Sequence, residues 1–172
     1  MNLCRLSLSA ALLLAFLPTG AAHVVIPPIL KPADGDKLAF VLKGIGVQIY
    51  ECATRKDMPS QTEWIFKGPE AQLSNDVGRI IGKHYGGPTW EGNDGSITVG
   101  TVKERAEAPD ARGIPWLLLT AASRGNGMFG KVRHIQRVAT TGGKAPLPCK
   151  AAEVGKTVRV NYMADYYFYT AK

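Results

Sequence analysis

The residues best equipped for chemistry lie together between His84 and Ser96. His84, Tyr85, Thr89, Trp90, Glu91, Asn93, Asp94 and Ser96 fall in this stretch, separated by glycines and Pro88. A Gly-rich segment of this kind can line a pocket. Trp90 would offer a flat apolar face, and His84, Tyr85 and Glu91 the polar contacts, to a small ligand such as a sugar or an aromatic ring. These four residues are the candidate ligand-binding set. The competing reading is a hairpin, with Asn93-Asp94-Gly95 as its turn, Trp90 as a core anchor and His84 as a hydrogen-bonded strand residue. The two readings differ in what surrounds Trp90.

Other chemistries find weaker support. His84, Glu91 and Asp94 match no compact metal-ligand spacing. His23, the first residue after the expected cleavage point, could hold copper through its amine and ring with His84 or His134, but no metal and no cofactor is expected. Gly125-Asn126-Gly127-Met128-Phe129-Gly130 fits G-x-G-x-x-G. A dinucleotide site needs a helix after that loop and an acidic residue about 20 positions on. Here Lys131 to Thr140 reads as a strand and the acid is missing, so Asn126-Gly127 reads as a hairpin turn. There is no G-x-S-x-G and no H-E-x-x-H. Ser96 or Ser123 with a histidine, or Glu91 with Asp94 or Asp165, could be assembled only by the fold. Arg124, Lys131, Arg133 and Arg137 gather near one strand. Lys131, Arg133 and Arg137 share parity with Ile135 between them. They read as a solvated sheet face, with an anion-binding patch as the alternative.

The elements that must position these groups are strands. Alternation of period two runs through Ile45–Tyr50, Glu63–Lys67, Ile97–Gly100 and Val158–Phe168. Turn signals separate the runs: Gly68-Pro69, Gly86-Gly87-Pro88, Asn93-Asp94-Gly95, Gly125-Asn126-Gly127 and Thr141-Gly142-Gly143. Nineteen glycines and eleven prolines leave little room for helix. Ile114 to Ala122 fits either a helix opened by Pro115 or a buried strand. The aromatic C-terminal run Tyr162, Tyr166, Tyr167, Phe168 and Tyr169 reads first as packing and second as a cavity wall. The expected fold is all-β and mainly antiparallel: a single-domain sandwich or barrel with short loops over residues 37–172, after a Pro-rich extended arm at 23–36.

Residues 1–22 have the three zones of an export signal: Arg5, the apolar Leu6–Leu17, then Pro18 and small residues to Ala22. The apolar zone is shorter than the roughly 20 residues a membrane helix needs. Cleavage after Ala22 would remove Cys4 and leave Cys52 and Cys149, which an oxidising compartment favours as a disulfide. The formal charge of +7 is moderately basic. With no block of like charge and no recognisable module, nucleic acid is not an expected partner. Nor is membrane insertion after cleavage.

Gly46–Cys52 (GVQIYEC), Trp64–Ala71 (WIFKGPEA), Gly82–Ser96 (GKHYGGPTWEGNDGS), Ile114–Leu119 (IPWLLL), Ile135–Cys149 (IQRVATTGGKAPLPC) and Tyr162–Tyr169 (YMADYYFY) resemble, in this order, the family catalogued as domain of unknown function 3455. The resemblance runs from about residue 38 to the C-terminus. It implies an exported β-rich domain with cysteines at these two places, and it implies no reaction. The leading expectation is therefore an exported (periplasmic or secreted), non-catalytic binder of a small molecule or envelope component. The alternatives are a hydrolase or lyase with an acid–base site around His84, and a structural or stress-related envelope protein without a pocket.

Overall fold

The computed structural model describes residues 24–172; the expected signal segment, Cys4 and His23 lie outside the described residues. Eight strands follow one another: β1 (Asp36–Thr54), β2 (Thr62–Ser74), β3 (Ile80–Tyr85), β4 (Thr89–Gly92), β5 (Ile97–Ala106), β6 (Trp116–Arg124), β7 (His134–Gly142) and β8 (Thr157–Ala171). Each pairs with the next, antiparallel throughout, and β8 returns to pair with β1. The result is a closed up-and-down barrel, the second of the two all-β architectures that the alternation and turn spacing predict. Closure leaves no sheet edge unpaired. The connections β1–β2, β3–β4, β5–β6 and β7–β8 lie at one end, and β2–β3, β4–β5 and β6–β7 at the other.

The period of two holds, but its phase is the reverse of what apolarity suggests on two walls. Ile45 and Val99 face outward and are 51% and 36% exposed, while their neighbours Gly44 and Gly100 face in. The interior is filled by rings from other strands: Tyr166 and Phe168 of β8 and Trp90 of β4, all nearly inaccessible. A β-carbon on Gly44 would sit 2.5 Å from the Tyr166 ring, and one on Gly100 would meet Leu119 at 2.8 Å and Trp90 at 3.0 Å. Glycine on these walls is what lets large rings occupy a narrow barrel.

The ambiguous run after Ile114 is strand. Leu117 and Leu119 point inward, and Trp116 and Leu118 point outward into a second apolar cluster with Val138 and Leu30. Burial on both faces accounts for its unbroken apolarity. Leu30 comes from the N-terminal arm, which is not simply extended: Pro28–Leu30 forms a 3-10 turn that buries Leu30 completely. Gln136 Nε2 donates to the Leu30 carbonyl, fastening the arm to β7.

A disulfide joins Cys52 near the end of β1 to Cys149 in the β7–β8 connection. Around it, Cys52 N–H donates to the Lys156 carbonyl and Gly155 N–H to the Cys52 carbonyl, both at 2.9 Å, and Trp64 Nε1 donates to the Leu147 carbonyl at 3.0 Å.

Candidate functional site

A cavity of about 390 Å³ enters the barrel at the end that carries the β3–β4 and β5–β6 connections. Its mouth is formed by Phe66 and Lys67 of β2, Gly87 and Pro88, and Val102 and Arg105 of β5. Deeper in, Gln48, His84, Trp90, Leu117, Leu119 and Arg137 complete the wall. β-Bulges shape this rim, one where Tyr50 pairs with Phe66 and another between Val102 and Glu104. The opposite end is plugged by Phe40, Phe129 and Phe168, whose ring centroids lie 4.8–5.8 Å apart.

His84 and Trp90 face each other across the β3–β4 ladder, so the pleat sends both into the interior. Their rings stack with centroids 4.3 Å apart and an interplanar angle of 14°, and Tyr166 meets both edge-on. Trp90 is thus a core residue and a wall of the cavity at once. His84 Nδ1 lies 2.8 Å from the Thr89 carbonyl, an acceptor only, so Nδ1 carries the proton and donates. Burial is the main cause that pushes the His84 pKa down to about 3; the Thr89 carbonyl opposes this and the Arg137 charge adds to it. The ring is neutral at physiological pH.

Tyr85 and Glu91 are not brought to this cavity. Each is one residue away from an inward-facing neighbour, so both project from the outer face. There Tyr85 donates its hydroxyl to Glu91 at 2.8 Å, and Lys83 reaches the other carboxylate oxygen at 3.2 Å. The tyrosine hydroxyl, then Lys83, hold the Glu91 carboxyl below its ordinary value. Asp94 is elsewhere again, in the β4–β5 turn at the plugged end. It accepts from the Ser96 hydroxyl and N–H and from the Met128 N–H, which lower its pKa. His84, Glu91 and Asp94 therefore do not converge, and no group of three or more His, Cys, Asp or Glu gathers anywhere among the described residues.

The Asp94 contact also accounts for the G-x-G-x-x-G match. A β-carbon on Gly127 would fall 2.2 Å from the Asp94 carboxylate, and one on Gly130 would fall 2.0 Å from the Gly125 carbonyl. These glycines let the β6–β7 connection fold tightly onto itself and onto the neighbouring turn. It is longer than the two-residue hairpin expected at Asn126-Gly127, because β7 starts only at His134. Ser96 and Ser123 are engaged in the same region, Ser96 with Asp94 and the Phe129 N–H, Ser123 with Thr98 and the Val132 carbonyl. Another polar cluster sits where β1 begins: His134 Nδ1 contacts the nearly inaccessible Asp36 carboxylate, and Arg133 lies 3.5 Å from it. None of these three lines the cavity.

Arg137 corrects the reading of the basic strand. Arg133 and Lys131 are exposed, but they precede β7. Within β7, Ile135 is fully buried in the interior, so Arg137, two residues on, points inward as well. Its Nε and Nη2 both donate to the Pro115 carbonyl, at 3.2 and 2.8 Å. Burial lowers its pKa from the ordinary value, yet a guanidinium remains charged. Parity with Ile135 is the available signal: two positions from an isoleucine that faces the interior, the arginine shares its face. Burial raises the pKa of Tyr50, Tyr162 and Tyr166, so these phenols stay protonated. Tyr50 donates to the Gly143 carbonyl at 2.6 Å, and the Tyr162 and Tyr166 hydroxyls lie 3.2 Å apart.

The chain belongs to a family described as protein of unknown function (DUF3455), whose model matches residues 32–170, beginning slightly earlier than the sequence blocks suggest. No curated protein and no solved structure matches it.

Proposed function

We propose that this member of the family is exported, loses residues 1–22, and binds a small molecule inside its barrel without transforming it. The cavity carries the reading: an eight-stranded barrel is just wide enough to hold one small ligand. Its volume of about 390 Å³ falls at the lower end of the roughly 300–1,000 Å³ range of small-molecule sites. The lining is mostly apolar, with a few polar groups placed among it, which is the make-up of a binding site. Two features favour binding over acid–base catalysis at His84. The ring is held neutral far below physiological pH, whereas an efficient general acid or base titrates near the working pH. Among the described residues no aspartate or glutamate lines the cavity to act with it. The disulfide supports the oxidising compartment that the signal-like segment predicts.

The test is to block the mouth. Val102 is 44% exposed at the rim, so Val102→Trp should fold normally while filling the entrance. Ligand-observed NMR against a panel of flat one- and two-ring compounds, acidic, neutral and basic, should find binders to the parent protein that Val102→Trp weakens about tenfold or more. An absence of binders, or binders indifferent to this substitution, would count against the reading.

A further inference from the structure

The charges of the cavity are of one sign. Lys67, Arg105 and Arg137 line it, and among the described residues no carboxylate does. Lys67 is met by Glu51 at 3.5 Å, but among the described residues no carboxylate forms an ion pair with Arg105 or Arg137. Arg137 gives two of its five donors to a single neutral oxygen, that of Pro115, and a further polar neighbour is the Tyr166 hydroxyl, a protonated phenol. A charge partly withdrawn from water with only neutral partners is costly, and an arriving anion would offset that cost. Two more donors wait in the same wall. Among the described residues four buried side-chain polar atoms lack a hydrogen bond of good geometry, and two of them, Gln48 Nε2, which neighbours the Tyr162 hydroxyl, and Trp90 Nε1, belong to cavity residues that are 2% and 1% exposed. Buried N–H groups are well bonded in the great majority of folded proteins, so two poorly satisfied ones lining the same cavity as a guanidinium without a carboxylate mark a place suited to an acceptor. The rest of the wall is apolar, with Ile114, Leu117, Leu119 and Trp90 deep in it and Phe66 and Val102 more accessible at the mouth.

We propose that the cavity takes a small organic acid, with its carboxylate on Arg137 and its apolar body against Phe66, Val102 and Leu117. This rests on the reading of the cavity as a ligand site and names the ligand class. A carboxylate has the geometry to take two parallel hydrogen bonds from a guanidinium, and an acceptor-rich head group can also receive the Gln48 amide. Arg105, exposed at the rim, stands on the path and raises the local concentration of anions there. A primary amine of the same shape would meet three cations and no carboxylate.

Three probes of one shape separate the two ideas: 2-naphthoate, 2-naphthalenemethanol and 2-naphthalenemethylamine, titrated into the disulfide-bonded protein at neutral pH and low salt. Naphthoate should bind about tenfold or more tighter than the alcohol, with the amine weakest. Arg137→Gln should erase the preference for the acid while changing alcohol binding by less than about twofold, and Arg137→Lys should restore part of it. Arg105→Ala, at an exposed position that does not bear on folding, should reduce naphthoate affinity by a few fold and flatten its salt dependence. Equal binding of acid and alcohol by the parent protein would overturn the acid seat and leave the cavity as a neutral-ligand site, whether or not the Arg137 variants fold. An acid preference that survives Arg137→Gln would also overturn it. Failure of all three probes to bind would sink the cavity reading together with the acid seat.

Discussion

Replacing Cys52 and Cys149 together by alanine is expected to lower stability by about 4–5 kcal/mol. The two cysteines are 97 residues apart, and cross-linking so long a loop removes a large share of the conformational freedom of the unfolded chain. A domain of this size is held by only about 5–15 kcal/mol, so the loss is a large fraction of the total. In thermal unfolding it corresponds to a fall of roughly 10–20 °C. The bridge also has a local task. The β7–β8 connection contains no strand from Gly143 to Lys156; hydrogen bonds to Tyr50 and Cys52 hold its two ends, and its middle reaches the barrel through Cys149, the Thr62 hydroxyl on the Cys149 carbonyl, and the Trp64 bond to Leu147. Without the bridge this segment should show faster amide exchange than the β1–β8 ladder. A reductant should destabilise the parent protein to the level of the double variant and leave the variant unmoved. A loss under about 1 kcal/mol would mean that the unfolded chain is already compact around these positions.

Acid should unfold the protein earlier than its carboxylates alone require, because of His84. In the folded chain this imidazole has a pKa of about 3, against 6.5 for a free one. Above pH 6.5 both states are neutral and the difference costs nothing. As pH falls below 6.5 the unfolded chain takes up a proton that the folded chain refuses, so stability drops continuously until the folded pKa is reached. Each unit of pH in this window costs about 1.4 kcal/mol, giving roughly 2–3 kcal/mol by pH 4.5. The carboxylates of Asp94 and Glu91, whose pKa values are lowered, add their own loss only at lower pH. His84→Phe keeps a ring against Trp90 but cannot be protonated. Its denaturant midpoint at pH 7 should be lower than the parent's, because the bond to Thr89 is gone, yet nearly flat between pH 7 and 5 where the parent's falls. Parallel slopes would show that His84 is not the group responsible. An imidazole found titrating near neutrality at this position would instead revive acid–base chemistry in the cavity.

Both expectations depend on features that differ in how far the sequence discloses them. Strand period, most turn positions and the cysteine pair are local or arithmetical signals, and the eight-stranded barrel and the disulfide follow them; Gly68-Pro69 is the exception, a turn signal that lies within β2 beside a β-bulge. Phase is not local. Whether Ile45 or Gly44 faces inward is decided by the Tyr166 ring, which belongs to the far end of the chain and pairs its strand with β1 only when the barrel closes. The same holds for the candidate site. The sequence makes His84, Tyr85, Trp90 and Glu91 one group because they are near each other in the chain. The pleat separates them into an inner pair and an outer pair, joined respectively by stacking and by a hydroxyl–carboxylate bond. Arg137 and Gln48 are distant from that stretch, and Arg137 sits among other basic residues that are solvated. It becomes conspicuous only when its interior position and its lack of a carboxylate are seen together. The G-x-G-x-x-G run is rightly read as a turn, but its reason is not local: its glycines answer to the crowding around the Asp94 carboxylate and the Gly125 carbonyl.

Methyl-resolved NMR of the isotope-labelled protein saturated with 2-naphthoate tests the central claim most directly. Cross-saturation from the ligand's ring protons should reach the methyl groups of Ile114, Leu117 and Leu119, which line the cavity. It should leave those of Val41, Ile45 and Met163, exposed on the outer face of β1 and β8, untouched. Transfer to the outer methyls with silence at Ile114, Leu117 and Leu119 would place the ligand outside the barrel and contradict the account.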